Sequence, residues 1–260
     1  MPELPDLEIY AHNLSNRFCQ KTITDFNVFK PQKVSACREE ILLNLQGHTL
    51  KDIERNGKEA WFKFSNGAIL AIHLMLKGRF EIAKSDQQTT NKIIALKFQG
   101  DEFLIVSDPL SWANVTLNPA FSPVPDAMDL SFNVPYLKEK LFKKKSSSIK
   151  ELLTNQKIVR GIGNAYADEI LWDCKVSPFS KCGSLPDDVV QAIYISVVKV
   201  LRNAIQELYK IVPDAINGEY REFLNVHNPN KNFTSSGYRI KTAKIGSRTT
   251  YYTDEQILYE

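Results

Sequence analysis

No apolar run in this sequence approaches the roughly 20 residues of a helical membrane span. The N-terminus lacks the basic, apolar and small-residue succession of a secretory signal, so a cytoplasmic protein is expected, with no membrane partner. Cysteine is sparse: Cys19, Cys37, Cys174 and Cys182 are scattered, and none forms a C-x2-C pair. That fits structural thiols in a reducing compartment and argues against a cysteine zinc site. His12, His48, His73 and His227 are the only histidines, with no two at ligand spacing, so no metal and no cofactor is expected. Charge of one sign is not in large excess either. The net formal charge is +3, a weak pull toward an anionic partner and too small for a ribosome-associated scaffold. The chain shows neither an internal repeat nor a low-complexity tract.

What is present is enough for a substantial core. The chain has 260 residues, 43% of them hydrophobic, which suits one large domain or two of ordinary size. Leu7, Tyr10, Ala11 and Leu14 recur at helical spacing, predicting a first helix over about residues 5–17. From about residue 22 to 120 the period changes. Short runs at Thr22–Phe29, Thr49–Ile53, Ala60–Phe64, Ile69–Leu74, Gly78–Ile82, Ile93–Phe98, Phe103–Ser107 and Asn114–Leu117, punctuated by Gly, Asn and Asp, predict a β-sandwich or barrel. Pro119, Pro123, Pro125 and Pro135 mark a linker. Beyond it, Tyr136–Phe142, Ile149–Thr154, Asn164–Trp172 and Pro186–Tyr209 predict helices. Strand character returns at Tyr238–Ile240 and Thr249–Tyr252, around a turn near Gly246. The run Lys138, Lys140, Lys143, Lys144 and Lys145 reads either as a solvated helix face or as a phosphate contact.

The opening, Met1-Pro2-Glu3-Leu4-Pro5-Asp6-Leu7-Glu8, carries two readings. One is a helix start, with Pro5 near the first position and acidic residues complementing the helix dipole. The other is chemical. If Met1 is removed, Pro2 presents a secondary amine with the Glu3 carboxylate beside it. An α-amino group titrates near pH 8, so part of it is nucleophilic at neutral pH. Its adduct with an aldehyde carbon is a cationic iminium, an electron sink, and Glu3 is placed to move protons.

Further motifs follow in order. Asn56-Gly57-Lys58 sits between two predicted strands. Gln156 to Glu169 includes Gly161-Ile162-Gly163-Asn164-Ala165-Tyr166-Ala167-Asp168-Glu169. Its two glycines allow close backbone approach to a phosphate, and Asn164 is expected to cap the following helix, whose N-terminus favours an anion. Near the C-terminus stands Ser247-Arg248-Thr249-Thr250-Tyr251-Tyr252. Taken together, these motifs make the whole chain resemble the formamidopyrimidine-DNA glycosylase/endonuclease VIII family of base-excision repair enzymes. The opening is similar to the family's Pro-Glu-Leu-Pro-Glu-Val-Glu, the central segment to its helix–two-turns–helix element, and the C-terminal segment to the arginine-bearing hairpin of its zinc finger.

The resemblance implies an α+β chain. An N-terminal β-sandwich catalytic domain would span residues 1–125, and a helical helix–two-turns–helix DNA-binding domain would span 126–260. The positions of the family's four zinc-binding cysteines fall on Phe233, Ser236, Thr253 and Gln256, so the finger, about 233–256, resembles the zincless type, with Phe233, Tyr238, Tyr251 and Tyr252 expected to pack in place of the metal. The implied activity is a bifunctional DNA glycosylase and abasic-site lyase. Pro2 would attack C1′ of the damaged nucleoside to form a Schiff base, and β,δ-elimination would cleave the strand. Glu3 would be the general acid/base, Asp6 a second acidic residue, and Lys58 the turn lysine of the catalytic site. Lys58, Lys157, Asn164 and Arg248 would hold phosphates of damaged double-stranded DNA, bent in the cleft between the domains, with the damaged nucleotide flipped out.

His73-Leu74-Met75-Leu76-Lys77-Gly78 resembles the family's wedge loop, with Leu76 in the wedge position. In Asp108-Pro109-Leu110-Ser111-Trp112-Ala113, Leu110 stands where the formamidopyrimidine branch has an arginine that reads the opposite cytosine, and Trp112 is either a second wedge or a core residue. The stretch from Asn217 to Phe233 is short where that branch carries a lid over 8-oxoguanine. Oxidised pyrimidines or ring-opened purines are therefore expected in preference to 8-oxoguanine. The protein would act as a monomer in the cytoplasm, on the nucleoid if its source is bacterial. The alternative is a non-catalytic DNA-damage-binding homologue in which Met1 is retained.

Overall fold

The computed structural model describes residues 1–86 and 89–260. Its contacts divide into two compact units: Met1–Phe121 with Leu208–Glu219, and Ser122–Glu207 with Tyr220–Glu260. The architecture is α+β.

The first unit opens with α1 (Leu4–Phe18), whose Leu4, Leu7, Tyr10, Ala11, Leu14 and Phe18 are buried, as the helical period requires. Among the described residues eight strands follow: β1 (Ile23–Val28), β2 (Leu50–Asn56), β3 (Glu59–Phe64), β4 (Ile69–His73), β5 (Arg79–Ala83), β6 (Lys92–Phe98), β7 (Glu102–Ser107) and β8 (Asn114–Leu117). They build two antiparallel four-stranded sheets, ordered β1-β6-β7-β5 and β2-β3-β4-β8. The inner faces meet through aromatic rings. Phe62 of β3 lies 6.1 Å from Phe80 of β5, centroid to centroid, so the pair bridges the two sheets of the sandwich. Phe18 of α1 closes on Phe98 of β6 at 4.5 Å.

Between β1 and β2 the chain forms α2 (Arg38–Leu45), which the sequence reading passed over. This helix buries only Ile41 and Leu45 and has no side-chain cap, so its apolar period is too short to register. The segment Leu208–Glu219 is tied to the unit by Asn13 Nδ2, which donates to the carbonyls of Pro213 (2.8 Å) and Ala215 (2.9 Å). The Tyr10 hydroxyl donates to the Gly218 carbonyl, and Asn217 Nδ2 donates to the Phe80 carbonyl at 3.0 Å.

The second unit holds α3 (Val134–Lys143), α4 (Ile149–Thr154), α5 (Asn164–Asp173), most of α6 (Asp187–Ile211) and a hairpin of β9 (Lys241–Ile245) with β10 (Arg248–Tyr252). Asn133 caps α3 by accepting from the Tyr136 N–H at 3.0 Å, and Ser148 with Glu151 forms a capping box on α4. Part of the proline-rich stretch read as linker is packed rather than loose: Phe132 is buried, and the Ala127 N–H donates to the Arg160 carbonyl. The hairpin's first strand begins at Lys241, so the strand expected at Tyr238–Ile240 is not formed there. Tyr238 instead closes a turn on Thr234, accepting from its N–H at 2.9 Å, with Gly237 at φ +84° between them.

Candidate functional site

In the first unit the expected catalytic residues surround the start of α1. Glu3 is the N-cap residue, 4% exposed, and Asp6 is 1% exposed. The pair forms a reciprocal capping box. The Glu3 side chain accepts from the backbone N–H of Asp6, and Asp6 Oδ2 accepts from the Glu3 N–H at 2.8 Å. Pro5, near the first helical position, donates no backbone hydrogen bond, which suits a turn whose first amides are unpaired within the helix. Asp6, one methylene shorter than the glutamate in the family's opening, thus bonds to the backbone that carries Glu3. Pro2 is buried beside them, and the α-amino group of Met1 is ion-paired with Glu219.

Lys58 occupies the two-residue turn between β2 and β3, which the pairing of Asn56 with Glu59 closes tightly. Gly57 supplies φ +62°, a conformation that L side chains rarely adopt. Lys58 is 8% exposed, unusually buried for a hairpin lysine, which ordinarily extends into water. Its charge reaches His73 at the end of β4. Burial first, and then the Lys58 cation, lower the His73 imidazole to about 4, so the ring is neutral at neutral pH. Its Nδ1 accepts from the Met75 N–H at 2.9 Å, which holds the turn carrying Leu76.

Two loops cross side by side from one sheet to the other. One joins β4 to β5 through Leu76, and the other joins β7 to β8 through Asp108–Ala113. Their adjacency follows from register, because His73 pairs with Asn114 and Arg79 with Ser107. Gly78 is required at the crossing, where a Cβ would lie 2.2 Å from the Leu74 carbonyl oxygen. Asp108 is fully buried and organises the second loop, accepting from the backbone N–H groups of Leu110 (2.9 Å), Trp112 (2.6 Å) and Ala113 (2.8 Å). The result is three apolar side chains held outward: Leu76 at 39% exposure, Leu110 at 43% and Trp112 at 50%. Trp112 is therefore not a core residue.

In the second unit, the turn between α4 and α5 meets the β9–β10 hairpin. Gln156 folds the turn, its Nε2 donating to the Ile162 carbonyl at 2.8 Å and its Oε1 accepting from the Gly161 N–H at 3.0 Å. Gly161 sits at φ +99°. Lys157 projects from this turn, exposed, while its backbone N–H donates to Asn155 Oδ1. Asn164 does not cap α5 as expected. The N-cap is Gly163, and Asn164 Nδ2 instead donates to the Thr249 carbonyl at 2.8 Å. The helix start is thereby joined to the hairpin, and Asn164 Oδ1 is buried with no hydrogen-bond partner among the described residues. One residue along, Arg248 bonds through Nη1 to the Thr154 hydroxyl. Asn164 and Arg248 are thus brought together on one face, and Thr154, hydrogen-bonded to Arg248, ends α4 three residues before Lys157.

The expected aromatic packing of the hairpin is only half right. Phe233 is 60% exposed and Tyr238 is 47% exposed, so neither replaces a metal. Tyr251 and Tyr252 do pack, against His227 at 4.7 Å and Phe179 at 5.1 Å. The principal ties are polar. Lys150 and Asp168, 1% and 0% exposed, form an ion pair at 2.6 Å. Lys150 Nζ also donates to Thr250 Oγ1 (2.8 Å), and Asp168 Oδ2 accepts from the Tyr251 N–H (3.0 Å) and engages His227 Nδ1 (2.7 Å). At the hairpin's far end Glu255 gathers four donors: Trp172 Nε1, Lys175 Nζ and the hydroxyls of Ser236 and Thr253, at 2.8 to 3.2 Å. Burial pushes the Glu255 carboxyl up, but the bonds from Lys175, Trp172 and Ser236 outweigh it and hold the group at about 2.

Sequence reasoning missed Lys150, His227 and Glu255, and treated Asp168 and Glu169 only as letters of a motif. Glu169 accepts from the backbone N–H groups of Asn225, Val226 and His227 at 2.7 to 2.9 Å, anchoring that segment to α5. The one available signal was the presence of two carboxylates on the buried face of a helix. Among the described residues no group of three or more His, Cys, Asp or Glu could hold a metal. None of their helices is long and apolar enough to cross a membrane.

Comparison with known proteins agrees with this layout. Residues 1–115 match the formamidopyrimidine-DNA glycosylase N-terminal domain, and residues 124–212 match its H2TH domain. The formamidopyrimidine-DNA glycosylase of Mycoplasma mobile is 29% identical, with 97% of each chain covered. That of Lactiplantibacillus plantarum is 28% identical over 79% of this chain and 78% of its own. The Lactococcus lactis Fpg in complex with abasic-site DNA superposes with a TM-score of 0.86 at 25% identity, covering 98% of this chain and 99% of that one. A mutant of the Lactococcus lactis protein bound to Fapy-dG-containing DNA gives the same TM-score, identity and coverage.

Proposed function

The chain belongs to the formamidopyrimidine-DNA glycosylase/endonuclease VIII family of DNA repair glycosylases, and on that premise we propose that it is a bifunctional glycosylase and abasic-site lyase working through an N-terminal proline. The observation that carries this reading is the capping box that holds the buried Glu3 carboxylate one residue from Pro2. With Met1 removed, the Pro2 nitrogen attacks C1′ of the damaged nucleoside. The N–C1′ bond forms, the glycosidic bond breaks, and the base leaves with a proton. The ring oxygen takes up a proton as the sugar opens, giving an iminium that draws electrons from C2′. Loss of a C2′ proton expels the 3′ phosphate, and a second elimination expels the 5′ phosphate. Glu3 transfers the protons. Lys58 supplies positive charge near the strand and, with Lys157, Asn164 and Arg248, binds phosphates. Leu76 and Trp112 fill the space left by the extruded nucleotide.

The lesion preference rests on Leu110 and the segment 217–233. A leucine side chain offers no hydrogen bond to an opposite cytosine, and the short segment leaves little chain to close over 8-oxoguanine. The substrates proposed are oxidised pyrimidines and ring-opened purines in duplex DNA.

Borohydride trapping on a duplex with one abasic site tests the mechanism. Wild type should give a covalent adduct and Pro2→Gly should not. A second reading, a non-catalytic damage binder, requires a retained Met1, which turns the Pro2 nitrogen into an amide. Mass spectrometry of the N-terminus decides whether that nitrogen is free. No adduct from protein lacking Met1 would remove the lyase reading.

A further inference from the structure

The lysine run at the end of α3 is absorbed by none of the roles above, and it borders a cavity of about 480 Å³. The floor is apolar, formed by Leu141, Phe142, Leu185 and Val190, and Lys138 and Lys145 stand on its rim. Phe142 is 69% exposed, a large ring left in water. Lys145 Nζ lies 4.0 Å from the centre of that ring, so cation and aromatic form one surface. Charge here is lopsided. Of the run's five lysines, Lys138, Lys140 and Lys143 pair with two acids, Asp187 and Glu139, which leaves Lys144 and Lys145 outside any ion pair among the described residues. Both acids are already engaged, Glu139 by Lys143 (2.5 Å) and Lys140 (3.4 Å), and Asp187 by Lys138 (2.8 Å). Cys182 adds no chemistry, because burial pushes its thiol up to about 12.

From this combination of apolar cavity, exposed ring and unbalanced positive charge, we propose that the groove between α3 and the start of α6 docks an acidic peptide segment of a partner protein, with a hydrophobic side chain seated on Phe142 and carboxylates on Lys144 and Lys145. Duplex phosphate would use the lysines alone and leave the apolar floor unexplained. A peptide that carries both features uses the whole surface.

The test uses the full-length protein and a fluorescein-labelled octapeptide of alternating Asp and Gly ending in Phe, followed by anisotropy. A matched peptide ending in Gly isolates the hydrophobic anchor. Phe142→Ala and Lys145→Glu change exposed side chains outside the proposed catalytic and DNA-binding residues, and abasic-site cleavage serves as the folding control. The expected result is saturable binding of the Phe peptide that weakens as salt is raised. Each variant, and the Gly-ended peptide with wild type, should bind at least about fivefold more weakly, with cleavage unchanged. Equal affinity for both peptides, or no peptide binding by the wild type, overturns the proposal. So does a uniform loss of duplex affinity in both variants without loss of peptide binding, which would assign the surface to DNA. Protein self-association that Phe142→Ala abolishes, with no peptide binding, would assign it to a second copy of this chain and overturn it equally.

Discussion

At the scale of single residues, separate roles are proposed for Glu3 and Asp6. Glu3 stands next to Pro2, whereas Asp6 bonds to the backbone that carries Glu3. Glu3→Gln should therefore lower the rate of base release and strand cleavage by about 10²- to 10⁴-fold while duplex binding persists, as expected when a proton-transfer group is removed. Asp6→Ala should instead appear in denaturant melts, at about 1 kcal/mol for a lost cap, with a smaller loss of activity. Full loss of turnover in Asp6→Ala at unchanged stability would move Asp6 into the chemistry itself. These residues were legible because the opening is a continuous string whose residue types each have a purpose. Lys150 and Asp168 were not, because the contacts that define them lie 99 and 100 residues away for Lys150, and 59 and 83 for Asp168. A sequence shows such a lysine and aspartate as two surface charges. Only the fold buries them against each other.

At the scale of elements, the strands of the sandwich were readable as short apolar runs punctuated by Gly, Asn and Asp, because β3, β4, β6 and β7 are buried along most of their length. The helix α2 was lost for want of a cap. The strand β9 was lost because Lys241, Thr242 and Lys244 are exposed and leave no apolar alternation to see. The hairpin's dependence on polar ties has consequences that can be measured. Lys150→Met removes one member of a buried ion pair and should cost about 3–5 kcal/mol, with faster amide exchange at Tyr251. Glu255 adds a pH dependence. Its carboxyl titrates near 4.5 when unfolded and at about 2 when folded. The unfolded chain therefore binds the proton first as acid is added. The stabilisation is fully present above about pH 4.5 and is lost as pH falls toward 2. Glu255→Gln should flatten that part of the stability curve, and an unchanged acid limb in the variant would show that the hub does not hold the hairpin.

For the molecule as a whole, the proposed phosphate contacts include three cations, Lys58, Lys157 and Arg248. Affinity for duplex DNA should fall with salt on a logarithmic slope of about −3, at about 0.9 per phosphate neutralised. Arg248→Ala should reduce that slope by about one. A flat salt response would dissociate these residues from DNA. Turnover on a lesion series should favour 5-hydroxyuracil and dihydrouracil over 8-oxoguanine opposite cytosine, and the reverse order would show that Leu110 and the short 217–233 segment do not set the preference. The hairpin bears on this chemistry in another way. Residues 233–256 contain no cysteine, and what fastens them is ammonium, carboxylate, hydroxyl and indole. A finger closed by thiolates is vulnerable to peroxide, which converts ligand sulfur to sulfenic acid and releases the metal. Here peroxide finds no sulfur to attack, so the DNA grip should survive the oxidant burst that creates the damage the protein is proposed to remove.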